Sequence, residues 1–240
     1  MEVPGQPLLL LRLEGPLQSW GLRSRWDVRD SGDEPSKSGV IGLLGCALGY
    51  PMYDRRLEEL DSELTLGIRV ECEGRKLVDF HTITGTIPMA GGGVKGTPDD
   101  PSTIISPRSY LQDAAFLAIL SGPAELLFRC RSALLAPKWP IYLGRKSCVP
   151  TRPVFEGLSY EYANLEDALR RHPWRWEGRA TLREYPARLR CVMEDPLGEA
   201  VRPDRIRTNP ARMYESRRVR VLWADFPGES EEGETCISHA

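Results

Sequence analysis

Leu8-Leu9-Leu10-Leu11-Arg12-Leu13, closed by Gly15-Pro16, and the later run Ser38-Gly39-Val40-Ile41-Gly42-Leu43-Leu44-Gly45-Cys46-Ala47-Leu48-Gly49 decide the fold class. The first is short and almost wholly apolar, the pattern of a buried strand. The second has the length of a helix. Ser36 or Ser38 can cap its start, and Gly49 with Pro51 ends it. Its glycines imply close packing against a neighbouring sheet. Residues 55–60 read as a second short helix. Residues 64–72 alternate (Leu64, Leu66, Ile68, Val70, Cys72) and read as a half-buried strand. Glu73-Gly74-Arg75 then turns the chain back into a strand over residues 76–82, which predicts a hairpin. A strand over 110–120 and a helix from Gly122-Pro123 to about Leu135 follow. The order is β-α-β-β, a long excursion, then β-α, which places the chain in the α+β class.

The excursion, residues 84–108, has no periodicity and holds Gly91-Gly92-Gly93, Gly96, Pro98, Pro101 and Pro107. Such a stretch inside a compact domain is either functional or disordered. Residues 136–156 are rich in Pro, Tyr, Arg and Lys. Beyond them we expect a helix over 165–171 and short strands over 180–183, 188–194 and 217–224. Residues 226–240 carry four acidic and no basic side chains and are expected to be a disordered tail.

The 240 residues are 41% hydrophobic and 28% charged, a soluble globular composition. No apolar run approaches the roughly 20 residues that cross a bilayer. Residues 1–7 lack the basic and apolar regions of a secretion signal, so a cytoplasmic protein without a membrane partner is expected. Six cysteines stand at 46, 72, 130, 148, 191 and 236 with no CxxC spacing, and the three histidines are not paired at ligand spacing. Reduced thiols, no metal and no cofactor are the expectation. The net charge of -2 hides an asymmetry: residues 1–100 carry -5 and residues 101–225 carry +7. Of the basic residues 27 are Arg and 5 are Lys. Arginine grips phosphate with a planar fork and stacks on bases, so the later half could present a basic face to nucleic acid.

Two short motifs can carry chemistry. Pro35-Ser36-Lys37-Ser38-Gly39 sets hydroxyls, a lysine and free amides at a helix start, which is either an anion site or a plain N-cap. It is not a P-loop, because Lys37-Ser38 precedes the glycines. Tyr142-Leu143-Gly144-Arg145-Lys146-Ser147 suits a phosphate clamp or a solvated basic turn. No Ser-His-Asp order or GxSxG elbow is visible.

Four pieces in this order resemble one family: residues 10–21 (Leu-Leu-Arg-Leu-Glu-Gly-Pro-Leu-Gln-Ser-Trp-Gly), 36–45, Asp79-Phe80-His81-Thr82, and Arg108 to Ala114 together with Tyr142 to Cys148. They are similar to the CasD family, the RAMP-superfamily subunits of type I-E CRISPR Cascade complexes. The resemblance implies a modified ferredoxin-like (RRM-like) domain over residues 1–148. A β-hairpin thumb would occupy about 81–109 and a small β-rich C-terminal region 149–225. It also implies an RNA-binding, non-catalytic subunit of a ribonucleoprotein complex for antiviral defence. Such a subunit caps the 5′ handle of the CRISPR RNA and meets the backbone subunit and the large PAM-reading subunit. Target DNA beside the PAM stays open as a partner.

Carried over by motif, the RNA-binding candidates are Gln18, Trp20, Lys37, Ser38, Arg108, Tyr110, Tyr142, Gly144, Arg145, Lys146 and Ser147. Arg108, Arg145 and Lys146 would grip phosphates. Tyr110 and Tyr142 either stack on bases or fill the core. In the thumb, Gly91, Gly92, Gly93 and Lys95 would form a tip that reshapes on assembly. Ile87 and Met89 would press on a neighbouring subunit or wedge against RNA. The alternative is a metal-independent endoribonuclease using His81, Tyr110 and Lys146, since some relatives in other subtypes process RNA with a Tyr, His and Lys set.

Overall fold

The computed structural model describes residues 6–22, 29–89, 91–175, 186–208 and 213–226. The central layer is a seven-stranded antiparallel sheet. Its strands are β1 (Leu8–Glu14), β3 (Thr65–Cys72), β8 (Ala115–Ser121), β9 (Phe155–Ser159), β10 (Arg188–Glu194), β11 (Ala200–Arg207) and β12 (Met213–Asp225). They lie in the order β11-β12-β10-β3-β8-β1-β9. Helices α1 (Lys37–Leu48), α2 (Arg55–Glu63), α3 (Ala124–Leu135) and α4 (Leu165–Arg171) complete the framework. The section β3-β8-β1-β9 with α1 and α3 has ferredoxin-like topology: two βαβ halves whose strands interleave. The fold is the α+β ferredoxin-like RAMP architecture, with the C-terminal strands β10–β12 continuing the same sheet from the edge of β3.

The apolar run of β1 is explained by burial on both faces. Leu9, Leu11 and Leu13 pack with α1 and α3, whereas Leu8 and Leu10 pack with Leu165 and Leu169 of α4 on the opposite face. Replacing Leu9 or Leu11 by Ala would cost about 2–5 kcal/mol. Strand β3 departs from its reading as half-buried, because α4 covers the face that was expected to meet water. Arg69 and Glu71 are buried there as an ion pair of 2.6 Å. Arg12 joins them, 3.0 Å from Glu71 and 2.8 Å from Glu156.

The predicted hairpin of β3 with the next strand does not form. Strand β4 (Arg75–Gly85) pairs instead with β7 (Ser102–Gln112) over eleven residue pairs, and β3 pairs with β8. Glu73-Gly74 therefore leads out of the central sheet rather than back along it. The excursion is an ordered thumb whose strands begin at Arg75 and end at Gln112, longer than 81–109. Its outer end carries a small hairpin of β5 (Ile87–Pro88) and β6 (Val94–Lys95). The single strand expected over 110–120 is two strands in two sheets, separated at Asp113, whose φ of 56° breaks the extension. A two-residue strand, β2 (Leu17–Gln18), flanks the base of β7. The strand expected over 180–183 and most of the acidic tail lie outside the described residues. No described helix is long and apolar enough to cross a membrane.

Candidate nucleic-acid interface

The turn between α3 and β9 builds the centre of the site. The Leu143 N–H donates to the Cys148 carbonyl at 2.8 Å, and the Cys148 N–H donates to the Arg145 carbonyl at 2.8 Å, so the turn is closed on itself. Gly144 sits at φ 89°, and a Cβ there would be driven into the Ser19 carbonyl oxygen. Only glycine lets the two segments approach this closely.

Arg145 leaves this turn and lies over the Tyr110 ring, 4.5 Å from its centroid. Its Nη2 donates to the Arg29 and Asp30 carbonyls at 3.0 and 3.4 Å. Its Nη1 is buried and has no partner among the described residues. Beside it opens a cavity of about 400 Å³, lined by Arg145, Arg29, Ser38, Gly39, Trp20 and Tyr214. Arg29, Arg108, Arg145 and Lys146 have no carboxylate partner among the described residues. A buried, unspent guanidinium donor at a cleft is suited to a phosphate or a base carbonyl.

Several candidates prove to be framework. Gln18 is fully buried; its amide donates to the Leu13 and Ala114 carbonyls at 3.1 and 2.7 Å and accepts from Trp20 Nε1 at 3.0 Å. Trp20 is 1% exposed, so it is a wall rather than an open stacking platform. Lys37 is also 1% exposed and is paired with Glu194 at 2.7 Å. Burial pushes its amine down, against the opposing pull of Asp61 and Glu194. Of the two readings left open for the start of α1, an anion site or a plain N-cap, the structure shows the cap, with the remaining amide taken by the chain itself. Ser36 is the cap, accepting from the Gly39 N–H, and the Lys37 N–H donates to the Asp204 carboxylate at 2.6 Å. A carboxylate of the chain itself thus complements the helix dipole there. Tyr110 is buried beneath Arg145, so it supports a cation instead of offering a face to a base.

Arg108 stands apart, on the thumb beside a smaller pocket of about 240 Å³ with Ile83, Ile87, Ile104 and Ser106. Its Nε and the Ser106 Oγ are buried without partners among the described residues. Ile87, expected at an exposed tip, is 7% exposed within this pocket. Met89, Gly91, Gly92, Gly93 and Lys95 are exposed at the outer end. Tyr142 and Lys146 line a separate chamber on the other side of Gly144, and Ser147 is exposed.

The nuclease set is not assembled. His81 pairs across the thumb with Ser106, and Tyr110 pairs with Leu77, four residues nearer the base. That is about 13 Å along a strand. His81 Nε2 lies 2.6 Å from Asp79 Oδ2, Tyr110 is covered, and Lys146 lines a different cavity. Among the described residues no cluster of His, Cys, Asp and Glu could hold a metal ion.

Two residues that line the cleft escaped the sequence reading. Arg29 reaches the cleft because its backbone bridges to β7, with the Ser109 N–H donating to the Arg29 carbonyl at 2.8 Å. Tyr214 arrives from β12, across the C-terminal half. Only the arginine-rich character of residues 23–29 hinted at the first, and nothing local marked the second.

A ferredoxin-like sheet split by a long hairpin between its second and third strands defines a RAMP-type protein. Two solved structures share this architecture. One, described as "Crystal structure of Cas protein", superposes with a TM-score of 0.66 at 35% identity, covering 91% of this chain and 95% of that one. The other, "CRISPR RNA-guided surveillance complex", gives a TM-score of 0.69 at 33% identity, covering 92% and 91%. The chain belongs to the CRISPR-associated protein (Cas_Cas5) family, which it matches over residues 8–221. It is also 34% identical over 161 residues to the CRISPR system Cascade subunit CasD of Escherichia coli (strain K12), spanning 62% of this chain and 70% of that one.

Proposed function

We propose that this chain is a non-catalytic subunit of a cytoplasmic CRISPR surveillance (Cascade) complex that captures the 5′ handle of the CRISPR RNA for antiviral defence. Its likeness to a Cascade subunit and to a surveillance-complex structure supports membership. The observation that carries handle capture is Arg145, stacked on Tyr110 with a buried, unpartnered Nη1 beside a cavity that also holds Arg29, Ser38 and Tyr214. A single strand exposes phosphates and base faces, and this cavity offers cations, a hydroxyl and an aromatic ring to both. The thumb projects from the ends of β3 and β8, and the Arg29 backbone bridges to its strand β7. It would set the register of the neighbouring backbone subunit, with the large PAM-reading subunit as the other neighbour.

One incubation of the purified full chain with repeat RNA tests the reading, resolved on a native and a denaturing gel. A shift that depends on the handle, with intact RNA, is expected. Metal-independent cleavage at one site that disappears in His81→Ala would overturn it in favour of a nuclease.

A further inference from the structure

The cations left without a carboxylate at the cleft have a counterpart in the chain itself. Residues 227–240 carry Glu229, Glu231, Glu232 and Glu234 and no lysine or arginine. The family match spans residues 8–221 and stops short of this segment, so the resemblance assigns it nothing. A run of acidic residues beyond the last strand of a domain is a common form of interaction tail. Facing it are Arg29 and Arg145 at the cleft, with Lys146 in the adjoining chamber, and none of them meets a carboxylate among the described residues. Arg29 and Lys146 are exposed.

The segment starts from a fixed point near these cations. The Phe226 N–H donates to the Ala187 carbonyl at 3.1 Å, and the Phe226 ring meets Trp174 edge to face at 5.2 Å. Trp174 Nε1 in turn donates to the Glu71 carbonyl at 3.3 Å, beside Cys72, where the thumb leaves the sheet. A short path of contacts leads from the end of β12 to the cleft. Trp223 pairs with Arg190 across the sheet, and Arg190 bonds Glu34 at 2.6 Å. Four residues before Glu34, the Asp30 carbonyl accepts from Arg145 Nη2 at 3.4 Å. Paired strands lie about 5 Å apart, and four residues cover at most about 14 Å. The eight residues from Phe226 to Glu234 extend over as much as about 28 Å, a length on the scale of this path. The carboxylates along it, Asp33, Glu34 and Glu73, already have their own cations in Lys76, Arg190 and Arg202.

We propose that residues 227–240 fold back over the cleft of Arg29 and Arg145 and hold its cations until RNA displaces them. A glutamate carboxylate presents to a guanidinium the same paired anionic oxygens as a phosphate. Tethered at Phe226, these carboxylates act at an effective concentration on the order of millimolar. Each exposed ion pair is weak and is screened by salt. A strand that engages the cleft through several contacts at once therefore displaces the segment, whereas a strand held by charge alone is turned away. The segment is an internal filter against unrelated nucleic acid. The inference rests on the proposed RNA binding, and the experiment separates the two.

The full-length chain is compared with a full-length quadruple variant, Glu229→Gln, Glu231→Gln, Glu232→Gln and Glu234→Gln, each with and without Arg145→Ala. Repeat-derived handle RNA and an unrelated single-stranded RNA of equal length are titrated at low and high salt. The quadruple variant is expected to bind the unrelated RNA about tenfold more tightly at low salt, to gain less on the handle, and to lose the difference at high salt. Arg145→Ala should remove most of that gain. In the RNA-free wild type, carbodiimide should couple a glutamate of the segment to Lys146, and handle RNA should suppress the product. Wild-type affinities in the quadruple variant, with handle binding intact, would overturn the filter and leave handle capture standing. An equal gain in the Arg145→Ala background would show diffuse repulsion instead of an occupied cleft and would overturn it as well. Failure of every chain to bind RNA would overturn the RNA reading, and the coupling to Lys146 would then decide alone whether the segment sits at the cleft.

Discussion

The arginines of the C-terminal strands and those around the cleft carry the same charge but are held in opposite ways. Arg190 bonds Glu34 at 2.6 Å and Glu73 at 2.9 Å. Arg217 bonds Asp204 at 2.7 Å, and Arg220 bonds Glu166 at 2.7 Å and Asp195 at 3.1 Å. Arg202, Arg205 and Arg207 are likewise matched to Glu34, Asp61 and Glu58. Among the described residues, Arg29 and Arg145 at the cleft, Arg108 on the thumb and Lys146 in the neighbouring chamber meet no carboxylate. The excess of +7 over residues 101–225 is thus a poor guide to a binding face. Much of it is spent fastening the C-terminal strands to α1, α2 and the 34–61 region. What sets the candidate interface apart is cations without a carboxylate partner among the described residues.

This comparison can be broken most directly at Asp204, which holds both Arg217 and the first amide of α1. Removing one member of a buried ion pair leaves the other uncompensated at about 3–5 kcal/mol. Asp204→Ala should therefore lower Tm by on the order of 10 °C, and an unchanged melting curve would show that the clamp is not needed for folding.

A second strong effect is expected in acid. Burial alone would raise the Glu156 carboxyl, but hydrogen bonds from His172 and Arg12 outweigh it and hold it at about 2. Its folded value lies below its ordinary 4.5, so its stabilisation is full above that pH and is lost as pH falls toward 2. Denaturant melts of wild type and Glu156→Gln between those limits should converge as the pH drops. Parallel curves would remove Glu156 from the account.

Arg145→Ala sharpens the contrast from the other side. It should weaken RNA binding by about 1–3 kcal/mol and reduce the salt slope by about one, while Tm moves little. Salt titrations of affinity would show this, and an unchanged slope would mean that Arg145 meets no phosphate. The smallest effect belongs to Arg220→Ala. Its ion pairs are half exposed, so stability should change by no more than about 1 kcal/mol and RNA affinity not at all. A loss of RNA affinity there would erase the distinction between arginines that fasten and arginines that bind.

The parts legible in the sequence were those set by local periodicity. Strand β1, helix α1 with its Gly49 cap, α3, α4 and β10 follow from apolar spacing and capping residues, and the Gly144 turn follows from its composition. Strand pairing did not follow, because β3 finds β8 across more than forty residues while a tempting turn at Glu73-Gly74 lies next to it. Strands β9 and β11 were missed: β9 is short and β11 carries Arg202, Asp204 and Arg205 in the middle of its run. The role of Lys37 was misread because Asp204 and Glu194, which claim it, lie 167 and 157 residues away. Partners at that distance leave no trace in a motif.

The thumb leaves the central sheet after Cys72 and returns at Ala115, and those two residues face each other across β3 and β8. Exit and entry are therefore neighbours, and the ring they close is already fixed by the sheet. The hairpin behaves as a detachable module on a rigid socket: eleven paired residues make an arm of about 35 Å whose length can change two residues at a time while the socket keeps its register. Reach can therefore be tuned by lengthening or trimming the arm, or by grafting one from a relative, without redesigning the domain that carries it.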